Sequence, residues 1–389
     1  MNNFSFYSPT YFAFGKGEEK KVPNLIARFG GSRVLLVYGG GSIKKSGLYA
    51  NITDALKNNG IYFSELGGVK PNPRSGLVYE GIRICKRDKL DFILAVGGGS
   101  VIDTAKAIAM GAKYDGDFWD FFCGTRIMDA LPIGTVLTIA AAGSEGSPNT
   151  VITNEKTNQK WGAGNDVLRP KFSVLNPEFT YTLPAYQTAS GATDIIMHIC
   201  ERYFSNTCGV EATDRLCQAL LLTIIKEAPV AIENPQSYEA RANIMWAGML
   251  AHNNVCGVGR EQDWSSHAIE HELSALYDVA HGAGLAVVAP AWMKYVMTKN
   301  TNKFLQFAVR VWGCQMDFEN PEKTMLEGIE RFEKFLKSIG MPTRLNELGA
   351  NVKDIPKIVG NMPIAQGGTT GNFVKLNKDD VTAILKLAD

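Results

Sequence analysis

The stretch DFILAVGGGSVIDTAK, residues 91–106, joins a short apolar run to three glycines and then to a segment with helical spacing. This order predicts a β-strand, a tight turn and an α-helix. Such runs and segments alternate from residue 33 to about residue 176, with strands predicted at 34–38, 61–66, 92–96 and 134–139 and helices at 44–59, 75–88 and 100–112. Strands and helices that alternate at this interval predict a parallel sheet with crossover helices.

The second half of the chain has a different pattern. Segments 185–204, 211–232 and 238–256 repeat their apolar residues with a period of about 3.6, which predicts a nearly all-helical region. Pro184 is placed to open the first of these helices from within its first turn. We therefore place a domain boundary between residues 183 and 184.

Length and charge limit the class of protein. At about 150 residues per domain, a chain of 389 residues predicts two domains. Apolar residues make up 45% and charged residues 20%, which is ordinary for a folded globular protein. The net charge of +1 provides no field to attract a nucleic acid or an anionic membrane, so we expect neither as a partner.

The remaining compositional features concern location and thiols. No apolar run approaches the roughly 18 residues of a membrane span, and the start of the chain lacks a signal-peptide pattern, so we expect a cytoplasmic protein. The seven cysteines are scattered and never spaced as CxxC. This predicts buried, reduced thiols rather than disulfides or a thiolate zinc site.

Two glycine clusters follow predicted strands. The clusters and the serines that follow them are Gly39, Gly40, Gly41 and Ser42, and Gly97, Gly98, Gly99 and Ser100. Neither matches GxGxxG, but glycines let the backbone approach a phosphate, and a helix N-terminus offers N–H donors. Two such loops at the same end of neighbouring strands favour a dinucleotide site. The alternative is that the glycines only make tight turns, with Ser42 capping one helix and Ser100 with Asp103 the other.

The residues after the first strand bear on the choice of cofactor. A carboxylate near the adenosine ribose favours NAD because it binds the free 2′-hydroxyl and repels a 2′-phosphate. This chain has no carboxylate there and instead has Lys44 and Lys45. The sequence therefore favours NADP(H), unless both lysines are only solvated helix charges.

All five histidines lie in the second half of the chain. Asp194 and His198 are spaced i,i+4, as are His267 and His271, and His281 follows in DVAHGAG. Imidazoles with a carboxylate suit Zn²⁺ or Fe²⁺ rather than Mg²⁺ or Ca²⁺. A lone histidine on a helix is more often a packed or surface residue than a metal ligand, which is our interpretation of His252. The spacing predicts a metal site without fixing which four residues coordinate.

A second pattern overlaps the same residues. His267, Glu270 and His271 match H-x-x-E-H, the pattern of a metalloprotease in which the glutamate is the general base. A protease would leave both glycine clusters and the pair of Asp194 with His198 unexplained.

The motifs together identify a family. The chain resembles the iron-containing (group III) alcohol dehydrogenases, in particular the branch of NADPH-dependent butanol dehydrogenases and aldehyde reductases. The resemblance rests on PTYFAFGKG, VLLVYGGGSIKK, GVKPNPR, LAVGGGSVIDTAK, GSE at 143–145, KFSVLNPEFTYTLP and HAIEHELSALYDVAHGAGLA. It implies the dehydroquinate synthase-like architecture: a dinucleotide-binding α/β domain (1–183), a helical domain for metal and substrate (184–389), and a metal in the cleft between them.

The resemblance also implies residue roles. The implied metal ligands are Asp194, His198, His267 and His281, with His271 uncoordinated but close, as a proton relay or as an orienter of a ligand. Residues Gly97, Gly98, Gly99, Ser100 and Asp103 would hold the pyrophosphate, and the other cofactor residues would be Gly39, Gly40, Ser42, Asn72, Thr138 and Lys160. One departure is Ala142, where the family often has a threonine hydroxyl.

The implied activity is hydride transfer between NADP(H) and a primary alcohol or aldehyde, with one Fe²⁺ or Zn²⁺ ion per site. The resemblance implies that the enzyme works mainly as an aldehyde reductase and that it forms a homodimer. Three alternatives stay open: an NAD-dependent lyase of the dehydroquinate synthase type, the metalloprotease, and a nucleotide-binding sensor without metal. The sequence does not distinguish iron from zinc or identify the natural substrate.

Overall fold

A computed structural model describes residues 1–362, 364 and 368–389. The chain divides into two compact units. A sheet unit comprises residues 7–182, and a helical unit comprises residues 1–6 and 183–389. Residues 1–6 group with the helical unit because the Met1 amino group donates to the Cys208 carbonyl oxygen at 2.7 Å and Asn2 N donates to Gly259 O at 2.8 Å.

The sheet unit is built on six parallel strands in the order β1-β8-β5-β4-β2-β3, with an antiparallel hairpin of β6 and β7. The strands are β1 Tyr11–Phe14, β2 Arg33–Tyr38, β3 Tyr62–Leu66, β4 Phe92–Gly97, β5 Ile133–Leu137, β6 Asn149–Asn154, β7 Gln159–Gly164 and β8 Phe172–Leu175. All residues of β4 are buried, as expected for a central parallel strand that is covered on both faces. The predicted parallel sheet is confirmed, although β1, β8 and the hairpin were not predicted.

The helices of the sheet unit are α1 Val22–Arg28, α2 Ser42–Lys45, α3 Leu48–Asn58, α4 Ser75–Arg87 and α5 Gly99–Ala112. The predicted helix at 44–59 is two helices because Gly47 has φ of +80° and caps the second one. The alternative in which serines cap these helices is not observed: Ser42 and Ser100 lie inside α2 and α5, and the N-cap residues are Gly41 and Gly98.

The helical unit confirms the prediction for the second half. Its helices are α6 Ala185–Tyr203, α7 Glu211–Glu233, α8 Tyr238–His252, α9 Ser265–Tyr277, α10 His281–Val296, α11 Thr301–Arg310, α12 Pro321–Ser338, α13 Ile355–Asn361 and α14 Lys378–Leu387. Pro184 is the N-cap of α6 and so lies just before the first turn rather than within it.

The state of the cysteines and the absence of a membrane span were predicted from composition and can be compared with the structure. All seven cysteines are free, as predicted, but Cys123 and Cys208 are exposed, so the expectation that every thiol is buried is wrong for these two. Among the described residues, no helix has both the length and the apolar character needed to cross a membrane.

Candidate metal centre and glycine loops

Both glycine clusters lie at the carboxyl edge of the sheet. Strands β2 and β4 are parallel neighbours, and residues 39–41 and 97–99 stand at or just after their ends. Strand β3 lies on one side of β2, and β4 lies on the other side. The strands that follow β2 are therefore added first on one side of it and then on the other, although all of them are parallel. Open α/β sheets bind ligands at such a switch point.

Other residues predicted to bind the cofactor lie around these loops. Thr138 N donates to Gly97 O at 3.0 Å, which brings the end of β5 beside the second glycine loop. Asn72 has a positive φ of 52°, and its Oδ1 accepts a hydrogen bond of 3.1 Å from Lys160 Nζ on β7. The structure therefore brings Thr138 to the Gly97 loop and links Asn72 to the hairpin.

Asp103 has a different environment from the one expected of a phosphate contact. Its carboxylate is buried, accepts a hydrogen bond of 2.5 Å from Ser144 Oγ and another of 3.0 Å from Val151 N, and burial raises its pKa. Both partners belong to segment 144–151. Asp103 thus connects α5 to that segment.

Lys106 completes this buried network and was missed by the sequence reasoning. Its Nζ donates to the carbonyl oxygens of Ser144, Ser147 and Asn149 at 2.7, 2.9 and 2.8 Å and to the Ser144 hydroxyl at 2.8 Å. Burial lowers the pKa of Lys106 to about 8, although the charge of Asp103 opposes the shift. Through these hydrogen bonds Lys106 fixes segment 144–149 to α5.

The first glycine loop has a carboxylate near it that the sequence pattern did not reveal. Glu65, near the end of β3, accepts hydrogen bonds of 2.9 Å from Tyr38 OH and Tyr49 OH. Burial and the Glu65 charge raise the pKa of Tyr38 to about 12. Lys44 Nζ lies 5.2 and 4.8 Å from the centroids of the same two tyrosine rings. The charge of Glu65 is thus held by two hydroxyl groups next to a lysine.

In the helical unit, the predicted metal residues converge on one oxygen atom. Asp194 and His198 come from α6, His267 from α9, and His281 begins α10. The distances from Asp194 Oδ1 are 3.3 Å to His198 Nε2, 3.7 Å to His267 Nε2 and 3.7 Å to His281 Nε2. Ligand atoms of Asp194, His267 and His281 all lie within 4.8 Å of one another.

This geometry fits a divalent metal. Ligand bonds of about 2.1 Å in a tetrahedral site separate neighbouring ligand atoms by about 3.4 Å. Asp194 Oδ1 and His267 Nε2 are buried and have no hydrogen-bond partner among the described residues. Buried polar atoms without partners are costly, so a cation between them would satisfy both.

The electrostatics of the cluster also favour a cation. Burial lowers the pKa of His267, but the charges of Glu201 and Asp194 outweigh it and raise the pKa to about 10. Burial and the neighbouring ring of His252 hold the pKa of His198 well below its usual value. The buried carboxylates of Asp194 and Glu201 thus favour positive charge at the cluster, which a bound cation would supply.

Two glutamates contact the Nδ1 atoms of His267 and His281, and the sequence did not predict this role for them. The Glu201 carboxylate contacts His267 Nδ1 and accepts a hydrogen bond of 3.1 Å from the His267 backbone N–H. Glu270 contacts His281 Nδ1 through one oxygen, and Ser274 Oγ donates to the other. Glu270 is therefore not placed as the general base of a metalloprotease. Sequence spacing gave no signal for either contact, because Glu201 and the His267 ring, and likewise Glu270 and the His281 ring, lie on different helices.

The two remaining histidines differ from each other. The His271 ring centroid lies 6.4 Å from that of His267 and 5.7 Å from that of His281, so the structure brings His271 close to the cluster. His252 is buried, with Nδ1 2.9 Å from Arg202 Nη2. Of the two alternatives considered for His252, a packed or a surface residue, the structure shows the packed one.

A parallel sheet with glycine loops at its switch point and a buried Asp/His cluster define a class of protein that binds a dinucleotide and a divalent metal. Comparison with known families makes the assignment specific. Residues 9–177 match the model for "Iron-containing alcohol dehydrogenase", and residues 188–388 match "Fe-containing alcohol dehydrogenase family, C-terminal". The chain belongs to the iron-containing alcohol dehydrogenase family.

Individual relatives extend over nearly the whole chain. NADH-dependent butanol dehydrogenase A of Clostridium acetobutylicum is 44% identical over 99% of both chains, and the NADPH-dependent aldehyde reductase YqhD of Escherichia coli is 38% identical over 92% of both. The crystal structure of NADH-dependent butanol dehydrogenase A from Thermotoga maritima superposes with a TM-score of 0.96 at 46% identity, covering 100% of this chain and 99% of that one.

These findings establish the general class of enzyme. The protein is an oxidoreductase of the alcohol dehydrogenase class with a divalent metal site at Asp194, His267 and His281 and a nicotinamide cofactor. The family assignment favours this function over the lyase and the protease. The names of the relatives differ in the cofactor they give, NADH for two and NADPH for one.

Proposed function

We propose that this protein reduces short aliphatic aldehydes such as butanal to primary alcohols with NADPH and a divalent metal. The observation that carries the proposal is the convergence of three imidazole Nε2 atoms on Asp194 Oδ1 at 3.3–3.7 Å. Relatives named butanol dehydrogenase and aldehyde reductase support the substrate class. The cytoplasmic location and the homodimer that the family implies stay predictions.

The proposed ligand set is Asp194, His198, His267 and His281. His198 is included because its Nε2 lies 3.3 Å from the shared oxygen. When bound, the metal supplies Lewis-acid polarisation of the carbonyl oxygen and stabilises negative charge on it. Burial of Asp194, His198 and His267 limits competing hydration and keeps their ligand atoms in place.

The reaction needs a hydride and a proton. Bound NADPH would supply the hydride to the carbonyl carbon, and the carbonyl oxygen would take up a proton to give the alcohol. His271 is the proposed proton donor, because it is half-buried beside the ligands and lies one turn after His267. Its alternative role, holding a ligand in place, would leave the proton to solvent.

The cofactor residues are proposed from the loops. Residues 97–100 would hold the pyrophosphate through backbone N–H groups at the start of α5, and Thr138, Lys160 and Asn72 would line the site nearby. Asp103 supports segment 144–151 rather than contacting phosphate directly, because its carboxylate already accepts from Ser144 and Val151.

The preference for NADP(H) rests on the first loop. Gly39, Gly40 and Ser42 carry no charge that would repel a 2′-phosphate, and Lys44 adds a positive one. The nearby carboxylate of Glu65 accepts hydrogen bonds from Tyr38 and Tyr49, and Lys44 Nζ lies over the same two rings, so the negative charge at this loop is partly offset. NADPH should therefore be favoured over NADH.

A substitution at Gly39 tests this preference. The wild-type protein is expected to reduce butanal with a higher kcat/KM for NADPH than for NADH. Gly39→Asp should lower kcat/KM for NADPH by about 10²-fold, because like charges would oppose each other at the 2′-phosphate, and should change the value for NADH far less. A Cβ atom at position 39 would lie 3.4 Å from Val69 O, so the backbone here has room for a Cβ atom.

Gly39→Asn is the matched control, since it adds the same bulk without charge. It should retain most of the wild-type preference. A wild-type protein that favours NADH, or equal losses in the Asp and Asn variants, would overturn the assignment of NADP(H) to this loop.

A further inference from the structure

We propose that Glu201 and Glu270 are positioning residues that hold His267 and His281 as Nδ1–H tautomers, so that both Nε2 atoms face the metal. The inference rests on the metal site of the proposed function and assigns it two more residues. Metal-bound histidines commonly donate their other N–H to a carboxylate, which orients the ring and makes it a stronger ligand.

Glu201 holds His267 by two contacts. One carboxylate oxygen contacts His267 Nδ1, and the other accepts from the backbone N–H of the same residue at 3.1 Å. Glu201 lies on α6, the helix that also carries Asp194, and it is 2% exposed. Because Glu201 contacts both the ring and the backbone of His267, it fixes the position of this ligand relative to α6.

Glu270 holds His281 from within a tight packing arrangement. Its carboxylate lies between His281 Nδ1 and Ser274 Oγ, and the residue is fully buried. A Cβ atom at position 284 would lie 2.8 Å from Glu270 Cγ, and one at position 282 would lie 1.9 Å from the backbone oxygen of Ser190. Gly282 and Gly284 therefore let the first turn of α10 approach both α6 and Glu270.

The third histidine lacks such support. His198 Nδ1 is buried without a hydrogen-bond partner in the part of the chain that the structure describes. Two of the three imidazoles therefore have a carboxylate at Nδ1, and His198 does not. We expect His267 and His281 to contribute most to the metal affinity. Removing the charge of either glutamate should weaken metal binding by about 10- to 100-fold.

The experiment compares Glu201→Gln and Glu270→Gln with the wild type. Glutamine keeps the shape of the side chain but removes the charge and replaces one acceptor oxygen with a donor. The affinity of the metal-free protein for Zn²⁺ is measured by competition with a chromogenic chelator, and the visible absorption of the Co²⁺-loaded protein reports the ligand geometry. Glu333→Gln is the matched control, because this carboxylate of the helical unit pairs with Lys294 and Arg344.

We expect a 10- to 100-fold weaker Zn²⁺ affinity and an altered Co²⁺ spectrum in both test variants, and neither change in Glu333→Gln. Wild-type metal affinity in both test variants would overturn the inference while leaving the proposed function intact. A wild-type protein that binds no Zn²⁺ would overturn both.

A measurement on the wild-type protein covers the case in which a variant fails to fold. In the Zn²⁺-loaded protein, ¹⁵N-labelled His267 and His281 are expected to carry a proton on Nδ1 in the NMR spectrum. Protonation of Nε2 in either ring would contradict the proposed tautomers.

Discussion

His267→Ala is expected to abolish stoichiometric metal binding and to lower kcat/KM for aldehyde reduction by at least about 10³-fold. A bound metal contributes several kcal/mol to stabilising the developing negative charge, and each 1.4 kcal/mol corresponds to about tenfold in rate. The substitution also leaves the buried carboxylate of Glu201 without the imidazole ring that it contacts. A buried charge without its partner is destabilising. Elemental analysis and steady-state kinetics measure the two effects.

His271→Ala separates metal binding from proton transfer. This variant should keep one metal per chain while kcat falls by about 10²-fold, the contribution of a single proton donor. Retained stoichiometric metal in His267→Ala would show that the ligand set is wrong. Loss of the metal from His271→Ala would make that residue a ligand rather than the proton donor.

Lys106→Met is expected to lower the free energy of unfolding of the sheet unit by about 3 kcal/mol or more. The methionine leaves the carbonyl oxygens of Ser144, Ser147 and Asn149 without their buried donor and removes the positive charge near Asp103. Removing one partner from a buried charged network costs about 3–5 kcal/mol. Urea denaturation followed by circular dichroism, with hydrogen exchange of α5 and segment 144–149, gives the size and place of the loss.

Lys113→Met is the control for this substitution. Lys113 follows the same helix, but its side chain is 45% exposed and its ion pair with Asp129 is 3.7 Å long. Surface substitutions of this kind change stability by about 0.5 kcal/mol or less. Equal losses in the two variants would contradict the role assigned to the Lys106 network.

The features that sequence predicted well are those with a local signal. A strand, three glycines and a helix occur within sixteen residues at 91–106, and the i,i+4 pair of Asp194 with His198 lies on one helix. Both patterns follow from the geometry of a single element or turn, so they require no knowledge of tertiary contacts.

The features that sequence did not predict depend on which elements become neighbours. Glu65 reaches the first glycine loop only because β3 pairs with β2, and Glu201 reaches His267 only because α6 packs near α9. Lys106 looks like one more polar residue of an amphipathic helix until segment 144–149 is placed beside it. The strand β1 is four residues long and half exposed, which is too short for a clear alternation pattern.

Removal and restoration of the metal tests the central claim most directly. The purified protein is assayed with butanal and NADPH, dialysed against a chelator until elemental analysis finds no metal, and assayed again before and after Fe²⁺ or Zn²⁺ is added back. The account predicts that activity falls by at least about 10²-fold and returns at one metal ion per chain. Undiminished reduction of butanal by the metal-free protein would contradict it.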